Sequence, residues 1–436
     1  MRILFFGTYD VTAHPRVGVL AEGLRAHGHD VTECNAPLGL DTASRVAILA
    51  QPWRLPVLAG RLASCWLRLA RMARRGPRPD VVVVGYMGHF DVRLARLLFR
   101  KRTTIVLDHL IGASDTAKDR NLSGGGLKPK LLHAIDAGAL KSADVVVVDT
   151  DEHLAALPDE HRGRGVVVPV GAPDDWFAAA PSTGPAEQES DAVVSDALVS
   201  DALAPGSVAT DAVVSDALVS DALAPGSVVP DVAVRGEAAS DDATATAQPA
   251  PLRVAFFGLY TPLQGAPVIG EALAKLGGAP VRATMIGHGQ EFDATRAAAE
   301  GGCPTEWIEW VDSTELPALI AAHDVCLGIF GTGPKALRVV PNKVFQGAAA
   351  GCAVVTSDTA PQRRALGDGA IYVPPGDAAA LAEALTRLAG DRTELAAARR
   401  RSHQAVLERF GCAAVVEPLV ERLAAGPAAR AAGAGS

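Results

Sequence analysis

No G-x-G-x-x-G follows any apolar run of this chain with an acid downstream, which argues against the usual nicotinamide or flavin dinucleotide site. There is no C-x-x-C pair, and no histidine stands at zinc spacing from the six cysteines. Cys34, Cys65, Cys303, Cys326, Cys352 and Cys412 are scattered, several inside apolar runs, as small buried hydrophobes are, so a reduced, cytoplasmic setting is expected. No apolar run reaches the length that spans a bilayer. The opening MRILFFGTYD stops at a turn after a short apolar run and reads as a first strand, not a signal peptide. Bases are nearly missing from one stretch: between Pro181 and Ala250, twelve acids stand against Arg235, a local charge of −11. The rest of the chain is about +3, so the overall −8 describes an acidic insert in a mildly basic body. No nucleic-acid partner is expected.

What the chain does have is a repeated alternation of strands and helices. At 436 residues it exceeds the usual size of one domain. RILFFG, HDVTEC, DVVVVG (80–85), TTIVLD (103–108) and ADVVVVD (143–149) read as buried strands separated by helical segments. RVAFFG (253–258), VRATMIG (281–287), DVCLGIFG (324–331), CAVVTSD (352–358) and AIYVPP (370–375) repeat the plan, and ILFFGTY even matches VAFFGLY. Continuous apolar strands between helices imply parallel sheets covered on both faces. The fold class is therefore α/β, with two doubly wound, Rossmann-like domains.

The segment between them differs. DAVVSDALVSDALAPGSV occurs at 191–208 and again at 211–228. Two units are too few to bury a solenoid core, and the composition offers little to pack. The stretch reads as an expanded linker, or else as a small docking element. The expected organisation is 1–170, an N-terminal domain; 171–250, the acidic linker; 251–412, the C-terminal domain; and 413–436, a last helix and tail.

Ligands of open parallel sheets bind beyond the carboxyl ends of the strands, where helix N-termini also point. One such loop, GTYDVTAHPR (7–16), offers Gly7, Thr8, Tyr9, His14 and Arg16; GYMGHFD (85–91) offers His89, and DHLIGAS (108–114) opens with Asp108. In the second half, GLYTPLQG (258–265) supplies Gly258, Tyr260 and Gln264, and IGHGQ (286–290) supplies Gly287 and Gly289. The most cationic loop is GTGPKALRVVPNK (331–343). Lys335, Arg338 and Lys343 converge there on an expected helix start, with Pro341 setting the turn and Asn342 able to cap it. Backbone N–H groups, the helix dipole and three cations suit an anion such as a diphosphate, although a solvated basic loop has the same composition. His89 is either a catalytic or a structural histidine. Asp108 is either catalytic or the cap of a turn. DTD (149–151) ends a strand ahead of EHLAAL and reads as helix capping, not as a metal ligand; no metal site is expected.

RLPVLAGRLASCWLRLARMARR (54–75) spaces Arg54, Arg61, Arg68 and Arg75 seven apart, joined by Arg71 and Arg74. Leu55, Leu58, Leu62, Trp66, Leu69 and Met72 lie largely away from them. Such a helix suits an anionic membrane surface, and equally an ordinary helix with its apolar face on the sheet.

Several motifs taken together resemble a family. IGHGQEFDATRA, VDSTELPALIAAHDVCLGIF, PNKVFQGAAAGCAVVTSD and GAIYVPPGDAAALAEALTRLAGD follow the order and spacing of the retaining glycosyltransferases of family 4 (group 1 glycosyltransferases), which have the GT-B fold. The resemblance covers 1–170 and 251–425. It implies two domains facing a central cleft, with RFGCAAVVEPLVERLAA as a final helix crossing back to the N-terminal domain. It further implies a nucleotide-diphosphate sugar held by the C-terminal domain, as co-substrate and with no resident cofactor, and a hydroxyl acceptor (polysaccharide, glycolipid or natural product) against the N-terminal domain. The expected enzyme is cytoplasmic and metal-independent, and attaches to the inner membrane face if 54–75 binds there. Lys335, Arg338 and Lys343 would face the diphosphate, and His89 corresponds to the family's N-domain histidine.

Three departures stand out. The family's pair of glutamates eight positions apart falls on Arg338 and Gln346; the first C-domain loop has Tyr260 and Gln264 in place of an Arg and a Lys; and RRAL sets Arg364 where an acid belongs. Either the cations have moved to the 331–343 loop, or donor binding is lost. The alternatives to a transferase are then a non-catalytic binding or scaffold protein, or another GT-B enzyme such as a nucleotide-sugar epimerase.

Overall fold

The computed structural model describes residues 1–9, 15–39, 55–85, 88–99, 103–110, 127–181 and 250–426. The acidic repeat, His14, Arg54 and the tail beyond 426 lie outside them.

In the N-terminal half, β1 (Arg2–Gly7), β2 (Asp30–Asn35), β3 (Val81–Val84), β4 (Thr104–Asp108), β5 (Val145–Val148) and β6 (Gly165–Val167) form a parallel sheet in the order β2-β1-β3-β4-β5-β6. β3 and β5 are each four consecutive valines, all buried. Branched side chains fit both faces of a pleated strand, and helices cover both faces here. Those helices are α1 (Pro15–Ala26), α2 (Leu55–Arg75), α3 (Asp91–Phe99), α4 (Leu127–Ser142), α5 (Asp151–Ala156), α6 (Asp159–Arg162) and α7 (Asp174–Ala178).

The C-terminal half repeats the design. β7 (Leu252–Phe257), β8 (Val281–Ile286), β9 (Thr305–Ile308), β10 (Val325–Leu327), β11 (Ala353–Ser357) and β12 (Ala370–Val373) are ordered β12-β11-β10-β7-β8-β9, again all parallel. Its helices are α8 (Ala266–Lys275), α9 (Phe292–Ala298), α10 (Leu316–Ala321), α11 (Asn342–Ala349), α12 (Ala360–Leu366), α13 (Ala378–Gly390) and α14 (Arg392–Leu407). In both sheets the first strand in sequence sits between neighbours reached from opposite directions. Loops diverge at such a point and leave a crevice, next to β1 in one domain and β7 in the other.

The halves share a core. Trp176 of α7 stacks on Phe257 of β7 at 5.4 Å, and Ala172 N–H donates to the Phe410 carbonyl at 2.8 Å. A last helix, α15 (Cys412–Ala424), lies along α1 of the N-terminal half. The contact is close enough that a Cβ on Gly23 would fall 2.1 Å from the Cys412 carbonyl oxygen. All six cysteines are buried free thiols. No helix among the described residues is long and apolar enough to cross a membrane.

Candidate active site

The loops after β7 and β8 are stitched together by their backbones. Gly258 N–H donates to Ile286 O, Gly287 N–H to Ile308 O and Tyr260 N–H to His288 O, at 2.8–3.1 Å. Gly258 and Gly287 have φ of +133° and +110°, and a Cβ on Gly287 would fall 2.0 Å from the Gly258 oxygen. Only glycine fits there. The Tyr260 ring turns inward, edge-on to Phe256 and Phe292, and is fully buried. Its hydroxyl has no hydrogen-bond partner among the described residues, and burial pushes the phenol far above its ordinary pKa. Tyr260 thus serves the core, and only its backbone belongs to the loop.

The cations occupy three different situations. Lys343, in the first turn of α11, is buried; its ammonium donates to Gln264 Oε1 at 2.5 Å and lies 3.9 Å above the Phe256 ring. Lys335 is half-buried at the head of a short 3-10 turn, Ala336–Arg338. Arg338 ends that turn and is exposed. Pro341, with no side-chain cap, takes the N-cap position expected for Asn342, which instead opens the helix. Asn342 and Gln346 are buried, as is all of α11. Gln264 and Lys343 therefore meet directly, while Arg338 stands apart on the rim.

In the N-terminal half, His89 follows β3 and His109 follows β4. Their rings meet edge to face at 5.5 Å, and His89 Nε2 lies 3.3 Å from Asp136 Oδ1 of α4. His109, which the sequence reading passed over, is thus brought beside the histidine it singled out. The remaining candidates turn inward. Arg16 donates from Nε to both oxygens of Asp108, at 2.9 and 3.0 Å, and from its terminal nitrogens to the carbonyls of Pro169 and Val168. Both side chains are almost wholly buried. Burial pushes the Asp108 carboxyl above its ordinary value, and the Arg16 guanidinium offsets only part of that rise. The pair ties α1 to β4 and to the chain after β6, inside the domain rather than on a loop surface. Thr8 donates from its backbone and hydroxyl to Asp91 Oδ2, both at 2.8 Å, and Trp66 donates to Asp91 Oδ1 at 2.8 Å. Tyr9 is enclosed beside Gly7, and its hydroxyl reaches Glu33 at 3.3 Å.

Trp66 and the buried Cys65 and Leu69 show that the apolar face of α2 packs into its own domain. Its outer face carries Arg61, Arg68, Arg71, Arg74 and Arg75, with exposed Val57, Leu67 and Met72.

The chain after β5 meets the segments after β10 and β11. Thr150, just after β5, caps α5 by accepting from His153 N–H and donates from its hydroxyl to the Arg338 carbonyl at 2.8 Å. In DTD the capping side chain is thus the central threonine; Asp149 pairs with His153, and Asp151 turns to Arg364.

Residues 251–391 match the family model Glycosyl transferases group 1, and residues 12–171 match the Glycosyl transferase 4-like domain. Together they account for most of the chain. It belongs to the group 1 glycosyltransferases. Among solved structures, this glycosyltransferase is similar to Anabaena HepE in complex with UDP-glucose (TM-score 0.57, 14% identity, 98% of this chain and 100% of that one). It is also similar to a sucrose-phosphate synthase from Thermosynechococcus elongatus (0.60, 13%, 98% and 99%). A third is an E. coli protein described as trehalose-6-phosphate bound with UDP-2-fluoro glucose (0.57, 13%, 97% and 99%). At these identities the likeness shows the fold, two Rossmann-like domains. No curated protein matches the chain.

Proposed function

We propose that this glycosyltransferase moves a sugar, with retention and without a metal, from a nucleotide-diphosphate donor to a hydroxyl acceptor. The observation that carries the reading is the buried Lys343 ammonium at the start of α11, held by Gln264 of the loop after β7, with Lys335 and Arg338 on the loop that leads into α11. When the glycosidic C–O bond breaks, negative charge develops on the departing diphosphate. Fixed cations and backbone N–H groups that stabilise it lower the barrier directly. The acceptor hydroxyl attacks the face the diphosphate leaves and gives its proton to the leaving phosphate, so no carboxylate nucleophile is required, unlike in glycosidases. Gly258, Gly287, Gln264, Asn342 and Gln346 complete the donor side in this reading. His89 and His109, with Gly7 and Thr8, mark the acceptor side. Asp108 acts through Arg16 by holding the N-terminal sheet in shape.

Two of the similar structures named above, Anabaena HepE and the E. coli protein, hold a UDP-sugar, which makes a uridine diphosphate sugar the first donor to test. Calorimetric titration with UDP, GDP, ADP and dTDP, with and without chelator, should show one nucleotide binding in both conditions, and Arg338→Ala should abolish it. Failure of all four to bind would favour a glycosyltransferase-like binding protein. The arginine face of α2 would rest on an anionic membrane; sedimentation with phosphatidylglycerol vesicles should capture the protein at low salt and release it at high salt.

A further inference from the structure

Two arginines of the C-terminal domain touch the same short stretch of the N-terminal domain. The stretch is the first turn of α5, residues 150–152. Thr150 holds the carbonyl of Arg338 at 2.8 Å. Its neighbours Asp151 and Glu152 both pair with Arg364 of α12, Asp151 at 3.2 Å and Glu152 closer still. α12 packs against the 3-10 turn that carries Arg338, so the two contacts belong to one surface. Arg364 stands where the family motif sets an acid, and an acid there would repel α5.

We propose that Arg364 is a positioning residue for sugar transfer. It holds the first turn of α5 against α12, so that Thr150 can fix the backbone of Arg338 and the histidine-bearing N-terminal domain keeps its distance from the donor. The inference rests on the donor-site reading given above. A guanidinium shared by two carboxylates, half exposed, holds only weakly. Weak holding is enough to bias how two domains sit, because a few-fold shift in population appears directly in the rate.

The test uses the full chain and three variants: Arg364→Glu, Arg364→Lys, and Arg364→Glu combined with Glu152→Arg. Readouts are UDP affinity, UDP release from UDP-glucose with water as acceptor, and hydrogen exchange of the amides of residues 151–154. Arg364→Glu should lower the release rate about tenfold and speed amide exchange, while UDP affinity changes less than twofold. Arg364→Lys should stay near wild type. The charge-swapped pair should recover most of the loss. An unchanged rate and exchange in Arg364→Glu, or a loss that the swap does not repair, overturns the proposal. If the wild type neither binds UDP nor releases it, the donor reading fails for that nucleotide. The exchange at 151–154 still decides whether Arg364 holds α5.

Discussion

The Lys343 ammonium sits 2.5 Å from the Gln264 amide oxygen and 3.9 Å above the Phe256 ring. The family resemblance implies an Arg and a Lys in the loop that here holds Gln264. In this protein a cation reaches the same loop from α11. Its charge is stabilised by an amide dipole and an aromatic face in an almost wholly buried setting.

That geometry predicts an exchange of roles. Gln264→Lys alone should bring two ammonium groups together in a buried place and cost about 2–4 kcal/mol of stability, measured by denaturant unfolding. Gln264→Lys with Lys343→Gln should regain most of it. If position matters less than the presence of one cation, the double variant should also bind UDP within a few-fold of wild type. Independent, additive losses would show that the two side chains are not coupled.

The Arg16–Asp108 pair predicts a different pattern. Asp108→Asn leaves a buried guanidinium without its counter-charge and should destabilise the N-terminal domain by about 3–5 kcal/mol. Arg16→Met with Asp108→Leu should be far milder. In both, UDP release per folded molecule should hold within a few-fold. A 100-fold loss of rate in a folded Asp108→Asn protein would instead return Asp108 to the chemistry.

How much of this could be read from the chain follows from burial. Ten of the strands announce themselves as apolar runs, β3 and β5 most plainly, because central parallel strands are covered on both faces. The other two, β6 and β9, are edge strands of three and four residues, and no residue of Thr-Glu-Trp-Ile is fully buried, so it forms no apolar run. The cationic loop after β10 was legible from composition. Tyr260 was not, since nothing in GLYTPLQG says that its ring turns into a cluster with Phe256 and Phe292. Arg16 and Asp108 looked like loop residues of two separate sites. Their pairing depends on β1 and β4 lying in one sheet, with β3 between them. For the same reason no local signal pairs His109 with His89.

His323 predicts an acid-sensitive C-terminal domain. Its ring is held between the Leu319 carbonyl and the Thr284 hydroxyl, at 2.8 and 2.9 Å. Burial lowers its pKa; the Leu319 carbonyl, Asp324 and Glu306 oppose that shift, and Arg253 adds to it. The folded form therefore takes up its proton at lower pH than the unfolded form. The ring's contribution is present above the ordinary histidine value of about 6.5 and is lost as pH falls below it. Below about pH 6.5, unfolding free energy should fall with a slope of up to about 1.4 kcal/mol per pH unit from this group. His323→Gln should remove that part of the slope, at some cost in stability near neutral pH. An unaltered slope would assign the acid sensitivity to other groups.

The last prediction concerns the two histidines. His89 lies against Asp136 of α4 and is buried, whereas His109 is half-buried at the end of β4. A ring enclosed beside a carboxylate is suited to orienting its neighbour. A partly exposed ring at a strand's carboxyl end is suited to touching a ligand. His109→Ala should therefore lower UDP release from UDP-glucose by about 10–100-fold with little change in melting temperature, the range in which positioned polar groups act. His89→Ala should lower both rate and stability, and Asp136→Asn should reproduce the His89 effect more than that of His109. The measurement is kcat and KM for the three variants beside their thermal unfolding. If His89→Ala loses rate with its stability intact while His109→Ala is silent, the two roles are reversed, and the reacting sugar lies nearer β3 than β4.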